Sequence, residues 1–229
     1  MLKRLPQRSR EPAGGLALLV GIVVLMWLIE AINSLTPHGN ALDGDGAIYP
    51  RDFGHVWSIF TAPFLHFGWP HLIDNTIPFV FMGVFVAVRG AARLAKVTLV
   101  VVLIGGLGTW LIAPGGTETV GASGVVFGYA SYLFVRGLFD RSWVEILIGV
   151  IVGVVWGGAL ISSLVPHHGI SWQGHASGAI GGVVAAWLLA GSRRTRSNRN
   201  PSSRGNGSPP APPAGGLSHG DALERVLAQ

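Results

Sequence analysis

The sequence predicts an all-α, polytopic membrane protein: a bundle of six transmembrane helices with a disordered C-terminal tail. Three observations predict it. Of the 229 residues, 49% are hydrophobic and only 12% are charged, with a mean hydropathy of +0.50. The apolar residues fall in long unbroken runs, which a soluble domain does not need. The basic residues gather between and beyond those runs, so the net charge of +5 reads as a set of topology signals and not as a nucleic-acid surface. There are no cysteines, which excludes disulfides, thiolate metal sites and a cysteine nucleophile.

The elements follow in order. A basic start, residues 1–12, carries Lys3, Arg4, Arg8 and Arg10 ahead of the apolar run Ala13 to Ile32. A cleaved signal peptide begins in the same way, but its apolar core is only about 7–15 residues long. Ala31-Ile32-Asn33 is also a poor cleavage site, so this run reads as a retained first span. A polar stretch, Asn33 to Asp52, leads to the semi-apolar Phe53 to Trp69, whose aromatics Trp57, Phe60, Phe64, Phe67 and Trp69 suit a segment lying in the membrane interface. Span two runs from His71 to Val88 and span three from Leu94 to Ala113, closed by Pro114-Gly115-Gly116. Span four, Gly121 to Val135, is short and ends at Arg136; span five runs from Trp143 to Val165, and span six from Gln173 to Ala190, ending at Arg193-Arg194. At about 1.5 Å per residue, runs of roughly 20 residues cross a hydrocarbon core of about 30 Å. The tail, 192–229, is rich in Pro, Ser, Gly and Arg and too poor in apolar residues to build a core, so disorder is expected. The chain thus divides into a basic N-terminus (1–12), a six-span domain (13–191) and the tail.

The charges support the count. Of the 16 Lys and Arg residues, all but Arg51 fall on one side of a six-span arrangement: before span one, between spans two and three, between spans four and five, and after span six. The positive-inside rule then puts both termini in the cytoplasm.

Three polar clusters interrupt this apolar chain, and polar groups at membrane depth are functional candidates by default. Gly121-Ala122-Ser123-Gly124 stands where a polar loop enters span four, Gly174-His175-Ala176-Ser177-Gly178 opens span six, and His71-Leu72-Ile73-Asp74-Asn75 opens span two. Spans two, four and six all begin outside, so His71, Ser123 and His175 belong to one side. Ser123 precedes Arg136 by thirteen residues, about 20 Å of helix, which sets it below the outer surface. The same measure places His175 nearly a full span from Arg193, which fits less well. Gly124 and Gly128 are four apart, as are Gly178 and Gly182, and such faces let helix backbones approach closely in lipid. Packed together, they bring Ser123 and His175 within hydrogen-bond reach as nucleophile and general base. No Asp or Glu lies within spans four or six, so a dyad is expected. His71 and Asn75 share a helical face and have donors suited to a developing oxyanion, beside the backbone N–H of Ser123. Asp74 reads as a helix-start residue, and Ser177 as packing. Taken singly, a serine among transmembrane glycines only packs or bonds its own helix, and an interfacial histidine is structural. The case rests on three clusters at matched ends of alternate spans.

Together these residues resemble the rhomboid family of intramembrane serine proteases, over about Ala13 to Gly191. The resemblance implies an endopeptidase acting on transmembrane protein substrates near the outer face of a bacterial cell membrane, with no metal or other cofactor and no nucleic-acid partner. It implies Ser123 as nucleophile, His175 as base, and His71, Asn75 and Gly121 around the oxyanion. It further implies that Phe53 to Trp69 is a first loop half sunk in the outer leaflet, with His66 beneath it as a structural hydrogen-bonder. Two positions depart from the family pattern: Trp57 is followed by Ser58 where an arginine is frequent, and Phe127 replaces a tyrosine that stacks on the catalytic histidine. Rival readings are a rhomboid-like protein that binds or escorts membrane proteins without cutting them and a small transporter or proton conductor. A third, a metal site drawn from His66, His71, His167, His168 and His175, lacks carboxylate or HExxH spacing.

The charge distribution generates a topology test. Reporter fusions at Asn40, at Arg89 and at the C-terminus are expected to read outside, inside and inside; a C-terminus reporting outside would overturn the six-span orientation.

Overall fold

The computed structural model describes residues 7–36, 41–166 and 169–190. The expectations for the start of the basic N-terminus, for His167 and His168 and for the tail lie outside the described residues. Six long helices run through the described part: α1 (Gln7–Asn33), α3 (Trp69–Ala87), α4 (Ala91–Ile112), α5 (Ser123–Asp140), α6 (Trp143–Ser162) and α7 (Trp172–Leu188). A short α2 (Ala41–Gly46) and two 3-10 segments, Phe53–Ile59 and Ala62–Phe64, fill the link between α1 and α3. Helix α1 begins six residues before its apolar run, because apolarity marks what can face lipid and not where backbone bonding starts.

Helix α5 is the centre, packed on α3, α4, α6 and α7, while α1 lies outside against α3 and α4. Among the described residues, four helices, α1, α3, α4 and α6, are long and apolar enough by themselves to cross a membrane. The two that are not, α5 and α7, are those carrying Ser123 and His175. Arg136 and Asp140 lie in α5, α7 has only 17 residues, and both are glycine-bearing. Each still exposes some apolar side chains, Ile180, Val183 and Trp187 on α7 and Phe134 and Leu138 on α5.

The glycine spacing governs how α5 and α7 meet. A Cβ at Gly178 would run into the carbonyl of Gly124, and one at Gly182 into the carbonyl of Gly128, so the two backbones touch where those side chains are missing. Ser177, buried, faces Gly108 on α4 as a packing residue.

Arg136 does not end span four. The helix continues to Asp140, and Arg136, 1% exposed, pairs with Asp140 and donates to the carbonyl of Leu189 just past α7. Arg93 donates to the same carbonyl at 3.0 Å. Cations are favourable at a helix C-terminus, where carbonyls lack partners within the helix. The depth mismatch disappears with this: α7 stops at Leu188, so His175 to Leu189 and Ser123 to Arg136 are nearly equal stretches, each about 20 Å. Arg89 pairs with Glu145 at the same end of the bundle, linking α3 to α6.

Arg51, the exception to the charge split, has its own task at the other end. With φ at 63° it turns its guanidinium onto the carbonyls of Leu111 (2.9 Å) and Ala113 (2.8 Å), capping α4. The Trp110 indole in turn donates to the Asp52 carbonyl at 3.0 Å. This staple fastens the first loop to α4. The loop leaves Phe53, Trp57, Phe60 and Phe67 exposed, in keeping with an interfacial segment, whereas Phe64 turns inward onto the core.

The α5–α7 contact predicts an asymmetric glycine scan. Gly178→Ala should destabilise the bundle by about 1–3 kcal/mol through overpacking. Gly157→Ala, inside α6 where an added Cβ meets nothing within 4 Å, should leave stability unchanged or raise it by up to about 1 kcal/mol through helix propensity. Thermal unfolding in detergent compares the two, and equal midpoints would remove the close contact as a determinant of the fold.

Candidate active site

Three helix starts and one helix end converge on the site. Ser123 is the first residue of α5, so its backbone N–H has no acceptor within that helix. His175 lies in the first turn of α7, which the Ser171 hydroxyl caps by accepting the Gly174 N–H at 3.3 Å. His175 Nε2 is 3.0 Å from Ser123 Oγ. Its Nδ1 is 2.9 Å from the backbone carbonyl of Ser163, at the end of α6. A carbonyl only accepts, so Nδ1 carries the proton and Nε2 presents its lone pair to the serine hydroxyl. The ring is fixed from the side as well: Phe127 stacks on it with centroids 4.3 Å apart and planes 6° from parallel. The phenyl ring thus makes the aromatic contact at the position that departs from the family pattern, without a hydroxyl.

His71 and Asn75 approach from α3. His71 Nδ1 accepts the Phe67 N–H at 3.3 Å, which leaves the proton of the neutral ring on Nε2. Asn75 gives one amide hydrogen to the His71 carbonyl at 2.8 Å and retains the second. Both side chains close on Gly121, whose φ of +113° is a glycine conformation. A Cβ there would sit 2.9 Å from His71 Nε2 and 3.7 Å from Asn75 Nδ2. Gly121 itself offers no donor, because its N–H is bonded to the Ala62 carbonyl at 2.8 Å. What it contributes is space in front of the two donors.

The loop before Ser123 is held by the first loop. Ile48 and Thr119 exchange both backbone hydrogen bonds, at 3.0 and 3.1 Å. His66, 1% exposed, accepts the Ala122 N–H at 3.4 Å, one residue before the serine. Burial, and secondarily the neighbouring His71, push the His66 imidazole down to about 3, so it stays neutral. The dyad opens onto a cavity of about 740 Å³, lined also by Asp74, Trp156, Leu160 and Gln173. Asp74 therefore borders the cavity as well as standing in the first turns of α3. Among the described residues, no three His, Cys, Asp or Glu side chains gather as a metal site.

Sequence reasoning named the side chains that meet here but missed the Ser163 carbonyl, since any residue type at that position supplies one. It also missed the Gly121–Ala62 bond, which depends on how the first loop folds back.

Comparison with known proteins matches residues 54–192 to the Rhomboid domain family. An uncharacterized protein of Mycobacterium tuberculosis is 41% identical over 196 residues, covering 82% of this chain and 80% of the relative. One from Mycobacterium leprae is 42% identical over 200 residues, covering 83% and 77%. The rhomboid protease GluP of Bacillus subtilis is 26% identical over 181 residues, covering 75% of this chain and 34% of GluP.

The neutral His66 predicts acid sensitivity. Its folded value, about 3, lies below the ordinary 6.5, so the unfolded chain binds a proton that the folded one does not between those limits. This stability is complete above 6.5 and falls as the pH drops, by about 2 kcal/mol at pH ~5. His66→Gln should therefore show a smaller fall in thermal midpoint than wild type between pH ~7.5 and ~5; equal falls would assign the acid sensitivity elsewhere.

Proposed function

The chain belongs to the rhomboid family of intramembrane proteases, and we propose that it is an active serine endopeptidase that cuts transmembrane substrates with a Ser123–His175 dyad. The observation that carries this reading is the two-sided hold on His175: Nδ1 on the Ser163 carbonyl, Nε2 on the Ser123 hydroxyl. That arrangement is what a general base needs, because it selects the tautomer with a free lone pair at the nucleophile.

The reaction runs as two acyl transfers. Ser123 Oγ attacks the substrate carbonyl carbon as its proton passes to His175 Nε2. The imidazolium then formed keeps its Nδ1–H on the Ser163 carbonyl, an uncharged partner in the place where serine proteases of the triad type carry an aspartate. Negative charge developing on the carbonyl oxygen meets His71 Nε2–H, the second Asn75 amide hydrogen and the Ser123 N–H in front of Gly121. When the tetrahedral intermediate collapses, the C–N bond breaks and His175 returns the proton to the leaving amine. Water then enters from the cavity and attacks the acyl carbon as His175 takes its proton; when the C–Oγ bond breaks, His175 returns that proton to Ser123 Oγ and the acid is released.

Substrate preference follows from depth. A transmembrane helix shields its own peptide bonds, so the segment entering the cavity must unwind, which favours small or helix-breaking residues near the substrate's outer membrane boundary. With the termini cytoplasmic, the site end of the bundle faces the outside of a bacterial cell membrane.

Ser123→Ala and His175→Ala are each expected to lower cleavage of a transmembrane substrate by roughly 10⁴-fold or more, with the double variant no worse, because the two act as a unit. Cleavage is read by gel and by mass spectrometry of the product termini. A Ser123→Ala protein that still cuts would remove the dyad, and a wild type that binds substrate without cutting would favour the escort reading.

A further inference from the structure

Cutting requires an extended peptide to lie in the cavity, and such a peptide brings an unmet demand. Each unwound residue carries a backbone N–H and a C=O that have lost their helical partners, and at membrane depth an unpaired amide is costly. The dyad and the donors in front of Gly121 serve only the scissile carbonyl. Other polar groups on the cavity wall must therefore serve its neighbours.

Gln173 stands out among the lining residues. It is two positions before His175 in the first turn of α7, and only 8% of its surface is exposed. Among the described residues its side chain makes no hydrogen bond within the protein, and its amide is not one of the polar groups sealed off inside it, so its donor and acceptor remain available. Its backbone N–H belongs to the first turn of α7, where donors have no acceptor inside their own helix; Gly174 and His175, the next two residues, have theirs met by Ser171. Gln173 has had no role so far: it is neither a member of the dyad nor one of the glycines at which α5 and α7 touch.

We propose that Gln173 is a substrate-binding residue: its carboxamide pairs with one peptide unit of the unwound substrate beside the scissile bond. A primary amide has both halves of what a peptide unit lacks, an N–H donor and a C=O acceptor in one plane, so two hydrogen bonds form together. Position on α7 adds a constraint, since the residue that binds the flanking peptide unit is then rigidly connected to the base that acts on the neighbouring one. The proposal rests on Ser123 being the nucleophile.

The test separates peptide binding from dyad chemistry. Gln173→Leu and Gln173→Met, similar in size and without hydrogen bonds, are assayed for cleavage of a transmembrane substrate and for labelling of Ser123 by a small fluorophosphonate, which occupies only the dyad. Cleavage efficiency should fall about tenfold, the scale of a lost pair of neutral hydrogen bonds, with the fall largely in KM and the labelling rate unchanged. Unchanged cleavage in both variants overturns the proposal. So does a parallel loss of cleavage and labelling in both, which would make Gln173 a support of the dyad or of the fold. A wild type that neither takes the label at Ser123 nor cuts overturns the protease reading itself, a result distinct from either.

Discussion

The contact on which the rest of the site depends is backbone against backbone, Gly124 on Gly178 and Gly128 on Gly182. In lipid there is no hydrophobic gain from pressing two apolar helices together, so close packing and interhelical bonds must hold them. Missing side chains are what permit that closeness. The two helices run in the same direction and stay in register along their length: the offset between partners is 52 residues at Ser123–His175 and 53 at Arg136–Leu189. The hydroxyl and the imidazole consequently meet with no loop intervening, held by elements whose separation is set by carbonyl and Cα atoms. Ser131 on α5 adds an interhelical bond to the Ala179 carbonyl at 2.7 Å, midway along the contact.

Backbone groups also supply what the side chains at the site lack. The Ser163 carbonyl orients His175, and the Ala62 carbonyl holds the Gly121 N–H, so no acidic residue has to be buried beside the imidazole. A carboxylate there would gain from the imidazolium but would carry its own desolvation penalty in the resting site. A carbonyl avoids that penalty and still selects the tautomer. The first loop becomes part of the machinery through the same kind of bond, and Arg51 ties that loop to the end of α4. An arginine that breaks the charge pattern of the topology is thereby accounted for as a helix cap.

What was legible in the sequence was what depends on side-chain identity at a fixed spacing. Ser123, His175, His71 and Asn75 are rare polar residues in an apolar chain, and the glycine pairs four apart mark the faces that touch. Illegible parts have physical reasons. The Ser163 carbonyl is common to every residue type, and α2 hides in a polar stretch because burying Asp43 depends on tertiary surroundings. Arg136 looked like a boundary because an arginine ordinarily stops at the membrane surface; its burial becomes acceptable only when Asp140 and the Leu189 carbonyl are both beside it. The apolar runs did reveal α5 and α7, although neither is by itself long and apolar enough to cross a membrane.

That last point links fold to chemistry. A helix whose first turn projects a serine or a histidine into a polar cavity gives up part of the apolar length that crossing lipid requires. The chain divides the labour: α1, α3, α4 and α6 have the apolar length, α5 is packed among α3, α4, α6 and α7, and α7 lies on α4 and α5 with Ile180, Val183 and Trp187 exposed. The two ends of α5 and α7 are then treated in opposite ways. At one end the charged groups are closed off against each other, with Arg136 on Asp140, Arg89 on Glu145 and two guanidinium groups on the Leu189 carbonyl. At the other end, Ser123, Asn75 and Gln173 all border the cavity, and the Ser123 N–H and one Asn75 amide hydrogen have no partner within the site. On the protease reading proposed above, these groups are the ones an incoming water or peptide would meet, whereas the paired charges close the other end.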